Sequence, residues 1–147
     1  MSLLNVFDVA GSGMSAQSIR LNTTASNLAN AESVAPPGQP TYRSRHPVFA
    51  AELESAAGGL LPLSSDTAGK EGSNVQVLGI VESDKPFNIR YEPDHPYADE
   101  SGYVAYPNVN AVEEMANMIS ASRSFQVNVE MMSTARTLAE RLLQMGR

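Results

Sequence analysis

The chain has 147 residues, of which 42% are hydrophobic and only 6% aromatic, so it fits one domain with a small core and an appendage. It contains no cysteine, which excludes a disulfide framework and thiolate metal sites. The formal charge of −6 lies in the middle of the chain, because residues 1–31 and 112–147 are each neutral overall. A nucleic-acid partner is excluded, since binding one requires a basic face.

Residues 3–31 predict the first long helix. Four large apolar residues recur at a spacing of seven, as in the seam of a coiled coil: Phe7, Met14, Leu21 and Leu28. Small residues alternate with them and would let another helix approach closely: Gly11, Ser18 and Ala25. Glycine costs a helix interior about 1 kcal/mol relative to alanine, and both Gly11 and Gly13 lie in this segment. We therefore expect the segment to be disordered or frayed in an isolated monomer and to be stabilised by packing against other helices.

Residues 109–145 predict a second, longer helix that contains neither proline nor glycine. Asn110 can cap its first turn, and Glu113 completes a variant of the capping box. One side of the helix is largely apolar and comprises Met115, Met118, Phe125, Val129, Met132, Ala135, Ala139 and Leu142. About 35 residues at a rise of 1.5 Å make a rod of roughly 50 Å, longer than a domain of this size can cover. The apolar stripe therefore requires a partner.

Between the two helices the sequence favours loops and extended chain. The segment from Ala35 to Pro40 contains three prolines and breaks the first helix. Residues 48–53 form a short apolar run that could be either helix or strand. Residues 55–73 are rich in Gly, Ser and Ala, which predicts a flexible loop.

Alternating apolar and polar residues predict strands in the second half of this middle region. They cover residues 75–81 and 87–91, with a further short strand at 103–106. Ser83 to Pro86 lie between the first two strands, as the turn of a β-hairpin would.

The predicted fold class is therefore α+β, with long N- and C-terminal helices forming a coiled-coil-like helical body around a small β-rich middle. The chain divides into the N-terminal helix at 1–31, the middle at 32–107 and the C-terminal helix at 108–147. No apolar run approaches the roughly 18 residues of a transmembrane helix. The N-terminus also lacks the basic region of a secretory signal peptide, which predicts a cytoplasmic protein or one exported without a cleaved signal.

The acidic loop at 92–102 is the strongest candidate for a metal site or a metal-dependent active site. It offers Asp94, His95, Asp99 and Glu100, but their spacing matches neither an EF-hand nor a zinc motif. A solvated turn with local hydrogen bonds is the better interpretation. No nucleophile motif accompanies His46, so we expect no catalysis, no cofactor and no small-molecule substrate.

Both ends of the chain resemble bacterial flagellar rod and hook proteins. Residues 12–30, centred on Asn27-Leu28-Ala29-Asn30, resemble the N-terminal signature of that family, and residues 108–128 resemble its C-terminal signature. The short length and the segments around His95-Pro96 and 102–110 are similar to those of a proximal rod member. The family turn Thr-Pro-Gly-Tyr is replaced here by a longer segment that ends at Tyr42-Arg43.

The resemblance implies a structural subunit of the proximal rod, which polymerises through its terminal helices into a helical tube and transmits torque. It implies export by the flagellar export apparatus without a cleaved signal peptide. Partners would be other copies, other rod proteins and the rings around the rod. The assembly interface would comprise Phe7, Met14, Leu21, Asn27, Leu28, Asn30, Asn110, Glu114, Met115, Met118, Arg123, Phe125, Asn128, Val129, Met132 and Leu142. The alternative is a cytoplasmic helical adaptor that is never exported.

Overall fold

A computed structural model describes residues 3–36, 38–52 and 74–145. Its elements are, in order, α1 (Leu3–Ala29), β1 (Arg45–Glu52), β2 (Asn74–Glu82), β3 (Asn88–Tyr91), β4 (Tyr103–Tyr106) and α2 (Ala111–Met145). Two long terminal helices and a small β-rich middle confirm the predicted α+β class. The loop predicted at 55–73 lies outside the described residues.

The two helices pack side by side in opposite directions. Arg20, towards the end of α1, donates a 3.0 Å hydrogen bond to Asn117 near the start of α2. In the middle of both helices Gly13 lies against Asn128, and a Cβ added to Gly13 would be 2.8 Å from the Asn128 side-chain nitrogen. α2 therefore lies close against α1 at Gly13, whereas a Cβ at Gly11 would meet no atom within 4 Å.

The buried side chains of the helices are small or polar. They are Ala10, Ala16, Thr23, Thr24 and Asn27 in α1, and Glu114, Ala121 and Ala135 in α2. The predicted seam of α1, formed by Phe7, Met14, Leu21 and Leu28, is only half-buried. Small and polar side chains therefore occupy the deepest positions of the single chain, and much of the large apolar surface is left uncovered.

The strands form two separate antiparallel pairs. β1 pairs with β2 from Arg45 opposite Glu82 to Glu52 opposite Asn74, with an irregularity between Val48 and Phe49. The ambiguous apolar run at 48–53 thus contributes to β1. β3 pairs with β4, with Asn88 opposite Tyr106.

The hairpin predicted around Ser83 to Pro86 is wrong, because these residues connect the two pairs instead of turning β2 onto β3. Ser83 N–H donates to the Ser44 carbonyl at 2.8 Å and so extends the β1–β2 pairing by one residue. The Asn108 side chain donates to the carbonyls of Ser83 and Lys85, at 3.2 and 2.9 Å. Residues 83 to 85 are thus held by Ser44 and by Asn108, which are distant in sequence. The alternation of apolar and polar residues within a strand cannot reveal such contacts.

Neither helix in the described part of the chain is sufficiently long and apolar to span a bilayer.

Candidate functional site

The residues predicted for assembly fall into three groups in the structure. Those half-buried are Asn30, just after α1, and eight residues on the helices: Phe7, Met14, Leu21, Leu28, Met118, Phe125, Asn128 and Met132. Those exposed are Asn110, Met115, Arg123, Val129 and Leu142. Asn27 and Glu114 are buried within the chain itself. The predicted set is therefore not one continuous surface of the single chain.

The start of α2 is fixed by the predicted cap. The Asn110 side-chain oxygen accepts hydrogen bonds from the backbone N–H groups of Val112 and Glu113, at 3.1 and 3.4 Å. It thereby satisfies two of the donors that a helix leaves unpaired in its first turn. Glu113 and Glu114 add negative charge where the helix dipole favours it.

Large apolar side chains are exposed along the whole length of α2. They are Val112, Met115, Ile119, Val127, Val129, Met131, Leu138, Leu142, Leu143 and Met145. Among them Ile119 is 58% exposed and Leu142 is 54% exposed. So many large apolar side chains exposed on one helix indicate that α2 contacts other protein surfaces.

Asn27, in the signature of the first helix, fixes the start of β1. Its side chain is fully buried and donates to the Arg45 carbonyl at 2.8 Å. Its amide oxygen accepts from Arg45 N–H and from the Tyr42 hydroxyl, both at 2.9 Å. The side-chain amide thus pairs with the backbone of Arg45 as a neighbouring strand would, and it holds α1 against the β-rich middle.

Asn108 makes the corresponding contact on the other side of the same strand end. Its side-chain oxygen accepts from Ser44 N–H at 2.7 Å, while its amide nitrogen donates to Ser83 and Lys85 as described. Ser44 is buried. We call Asn27 and Asn108, with Ser44 and Arg45 between them, the asparagine clamp. Sequence reasoning missed the role of Asn108, and its position between Pro107 and the helix cap was the one available signal.

Asn30 closes the C-terminal end of α1, three residues after Asn27. Its side chain donates to the Ser26 carbonyl at 2.8 Å, and its own carbonyl accepts from Ser33 N–H at 3.2 Å. Both asparagines of the 27–30 signature therefore bond to the chain's own backbone.

Glu114 is the one acidic side chain of α2 that is buried, at 4% exposure. Its Oε2 atom has no hydrogen-bond partner among the described residues. It lines a cleft of about 390 Å³ between the start of α2 and the segment that connects the strand pairs. His46 and Lys85 also line this cleft, so it contains both signs of charge.

The acidic loop is a turn stabilised by its own hydrogen bonds. The Asp99 carboxylate accepts from the backbone N–H groups of Ser101 and Tyr103, each at 2.9 Å. Gly102 has a φ of +81°, and a Cβ there would lie 2.9 Å from the Tyr91 ring, so glycine is required at this position. Within residues 3–36, 38–52 and 74–145, no three His, Asp or Glu side chains are grouped so that they could hold a metal ion.

Tyr106 ties this loop to the strand pair. Its hydroxyl donates to the Glu92 carboxylate at 2.9 Å, and the Arg90 guanidinium lies 4.3 Å from the centre of its ring. The hydrogen bond to Glu92, together with burial and the negative charge of Glu92, raises the pKa of Tyr106 above its ordinary value. The protonated phenol is therefore the form that the folded chain stabilises.

Two family models match the two ends of the chain. Residues 7–34 match the flagella basal body rod protein family, and residues 100–145 match the C-terminal region of flagellar basal body rod FlgEFG proteins. The chain is 45% identical to the flagellar basal-body rod protein FlgC of Salmonella typhimurium over 147 residues, which cover 99% of both chains. It belongs to the FlgC family of flagellar basal-body rod proteins.

Other members of the family support the same assignment. The FlgC protein of Escherichia coli O6:H1 is 47% identical over 99% of both chains, and that of Aquifex aeolicus is 38% identical over 98% of this chain and 97% of the relative. The chain is accordingly a structural subunit of the flagellar basal-body rod and assembles there with other rod proteins. The relatives are structural proteins, and they do not favour a cytoplasmic adaptor.

Proposed function

We propose that this FlgC-family chain polymerises through α1 and α2 into the helical tube of the proximal rod. The observation that supports this proposal is that many large apolar side chains remain exposed along α2 although α1 packs against it. Such a surface is unfavourable in contact with water, and a helix from another subunit would bury it. In this scheme the assembly core comprises residues 1–31 and 108–147, and residues 32–107 lie outside it.

In this proposal the sixteen predicted interface residues have three different roles. The half-buried apolar side chains of α1 and α2, such as Met14 and Phe125, hold the helix pair together. The exposed ones, such as Met115, Val129 and Leu142, contact neighbouring subunits. Asn27, Asn30 and Asn110 shape the chain so that these surfaces are presented in the correct relation.

In this proposal the asparagine clamp transmits torque between the β-rich middle and the two helices. Helices resist axial and torsional load because their backbone hydrogen bonds run along the axis. Asn27 on α1 and Asn108 just before α2 bond to adjacent residues, Arg45 at the start of β1 and Ser44 just before it. Load applied to the β-rich middle would therefore reach both helices through one short stretch of backbone.

The proposal includes delivery and surroundings. Export through the flagellar export apparatus, without a cleaved signal, would bring the chain to the periplasm-spanning rod. The exposed β-rich middle would face the rings around the rod, while the helices would face other rod subunits. The acidic middle supports this orientation, because net charge is best tolerated where solvent screens it.

The test is to place a charge at one of the exposed apolar positions of α2. We expect Leu142→Asp to remove the chain from isolated basal bodies and to abolish swimming, because a carboxylate cannot be buried unpaired at a helix contact. The matched control is Gln144→Asp, a substitution at an exposed polar position of the same turn, which should leave both unchanged. Removal of residues 1–20 or 130–147 should have the effect of Leu142→Asp. Normal rods built from Leu142→Asp would refute the proposal.

A further inference from the structure

A groove on one side of α2 has the shape that receives a side chain from another helix. It has a volume of about 460 Å³ and is lined by Val6 of α1 and by Val127, Glu130, Met131, Thr134, Ala135 and Leu138 of α2. The helix positions 127, 130, 131 and 134 have the spacing of a hole in knobs-into-holes packing, as do 131, 134, 135 and 138. Two overlapping holes therefore lie open on the surface.

A large apolar side chain lies on a different side of the same helix. Asn117, Ala121 and Asn128 mark the side of α2 that faces α1, since they are buried or contact it. At 3.6 residues per turn, Ile119 lies on the opposite side, about a quarter turn around the helix from the groove. One copy can therefore insert Ile119 into a neighbour and receive a neighbour's Ile119 at the same time.

We propose that the occupant of the groove is Ile119 from a second copy of this chain, with the two α2 helices parallel. Ile119 would be seated among Val127, Glu130, Met131 and Thr134. This contact displaces the second copy by 11 to 12 residues, or roughly 17 Å along the helix. A contact between different surfaces that combines rotation with translation continues as an open helix instead of closing as a dimer.

The charges on α2 favour the same displacement. Glu130 and Arg141 are both exposed, and neither takes part in the ion pairs formed within the described ranges. A shift of 11 residues brings Glu130 of one copy level with Arg141 of the next, on the same rim of the contact. It brings no like charges of α2 together. A rim pair adds little affinity, but it selects one register among the several that repeated apolar spacing allows.

The inference rests on the proposed function, because it assumes that copies pack through α2. Since the chain has no cysteine, the test is the double variant I119C/M131C in basal bodies isolated from cells that produce it in place of the normal chain. Twelve residues separate the two sites, about 18 Å along one helix. A disulfide requires Cα atoms within roughly 7 Å, so any disulfide must join two copies.

We expect oxidation to give a ladder of dimers, trimers and larger products of this chain. I119C alone and M131C alone should stay monomeric. So should S120C/M132C, which keeps the spacing but turns both sites away from the contact. Dimers of I119C alone would show a symmetric contact, and a product containing a different protein would show another partner. Either result would overturn the inference, as would a variant present in basal bodies without cross-links.

A charge exchange gives an independent measurement if the cysteine pair prevents assembly. E130R and R141E should each lower the amount of chain recovered in basal bodies, and the double variant E130R/R141E should restore it. If basal bodies contain no more of the double variant than of E130R or R141E alone, the proposed register is wrong. Absence of the cysteine-free parent chain from basal bodies would instead refute the proposed function, and this inference with it.

Discussion

Replacing Asn27 with alanine tests whether the asparagine clamp holds the helices to the β-rich middle. The substitution removes three hydrogen bonds: Asn27 accepts from Arg45 N–H and from the Tyr42 hydroxyl, and it donates to the Arg45 carbonyl. A typical intramolecular hydrogen bond contributes about 0.5–1.5 kcal/mol net, so the loss should lower the free energy of unfolding by about 2–4 kcal/mol. The side chain is fully buried, and water could restore these bonds only by entering the junction.

The assay is urea denaturation of the purified chain followed by circular dichroism, with Asn22→Ala as the matched control. Asn22 lies on the exposed side of the same helix, so its replacement should change stability by no more than about 0.5 kcal/mol. Amide hydrogen exchange adds a local readout, since Arg45 N–H should lose protection in Asn27→Ala. A change for Asn27→Ala as small as for Asn22→Ala would refute the reasoning.

Three further predictions concern separate features. Gly13→Leu should destabilise the chain by about 1–3 kcal/mol in the same assay, because its side chain would collide with Asn128; Gly11→Ala, at an open helical position, should instead stabilise it by about 0.5–1 kcal/mol. Asn110→Ala should cost about 1 kcal/mol through loss of the cap, and Asn110→Ser should recover most of it. Because the pKa of Tyr106 is raised in the folded chain, its contribution to stability is complete below the unfolded pKa of about 10 and is lost as pH rises through the folded value. Tyr106→Phe should remove that alkaline loss, and an unchanged alkaline profile would contradict the assignment.

The two long helices were predictable because each signal was local. The spacing of apolar residues, the prolines between residues 36 and 40 and the Asn110 cap all act within a few residues, and the helices begin and end close to the predicted positions. The strand pairing was not predictable in this way. β2 joins β1 across a long separation in sequence, and alternation identifies a strand without identifying its partner.

In the candidate site, too, contacts between residues distant in sequence could not be predicted. The predicted apolar stripe of α2 differs from its exposed surface, because Met118, Phe125 and Met132 are half-buried and Ala135 is buried. The asparagine clamp does not follow from local sequence either, because the hydrogen bonds of Asn27 and Asn108 reach residues 18 and 64 positions away. Asparagines that favour turns and caps are common, and nothing in their immediate neighbours indicates that these two bond to consecutive residues at the start of β1.

The coiled-coil pattern of α1 predicted a seam of large side chains, yet the positions most deeply buried between and beside the helices are small or polar. A stable monomer normally places its largest apolar side chains inside, since each buried one contributes about 1.5–3 kcal/mol. This chain buries Ala10, Ala121 and Ala135 and leaves Ile119, Leu138 and Leu142 exposed. Small side chains thus occupy the deepest positions of the helix pair, while several large apolar side chains remain on its outside. The sequence is thus better suited to the contacts of an assembled rod than to those of a free subunit.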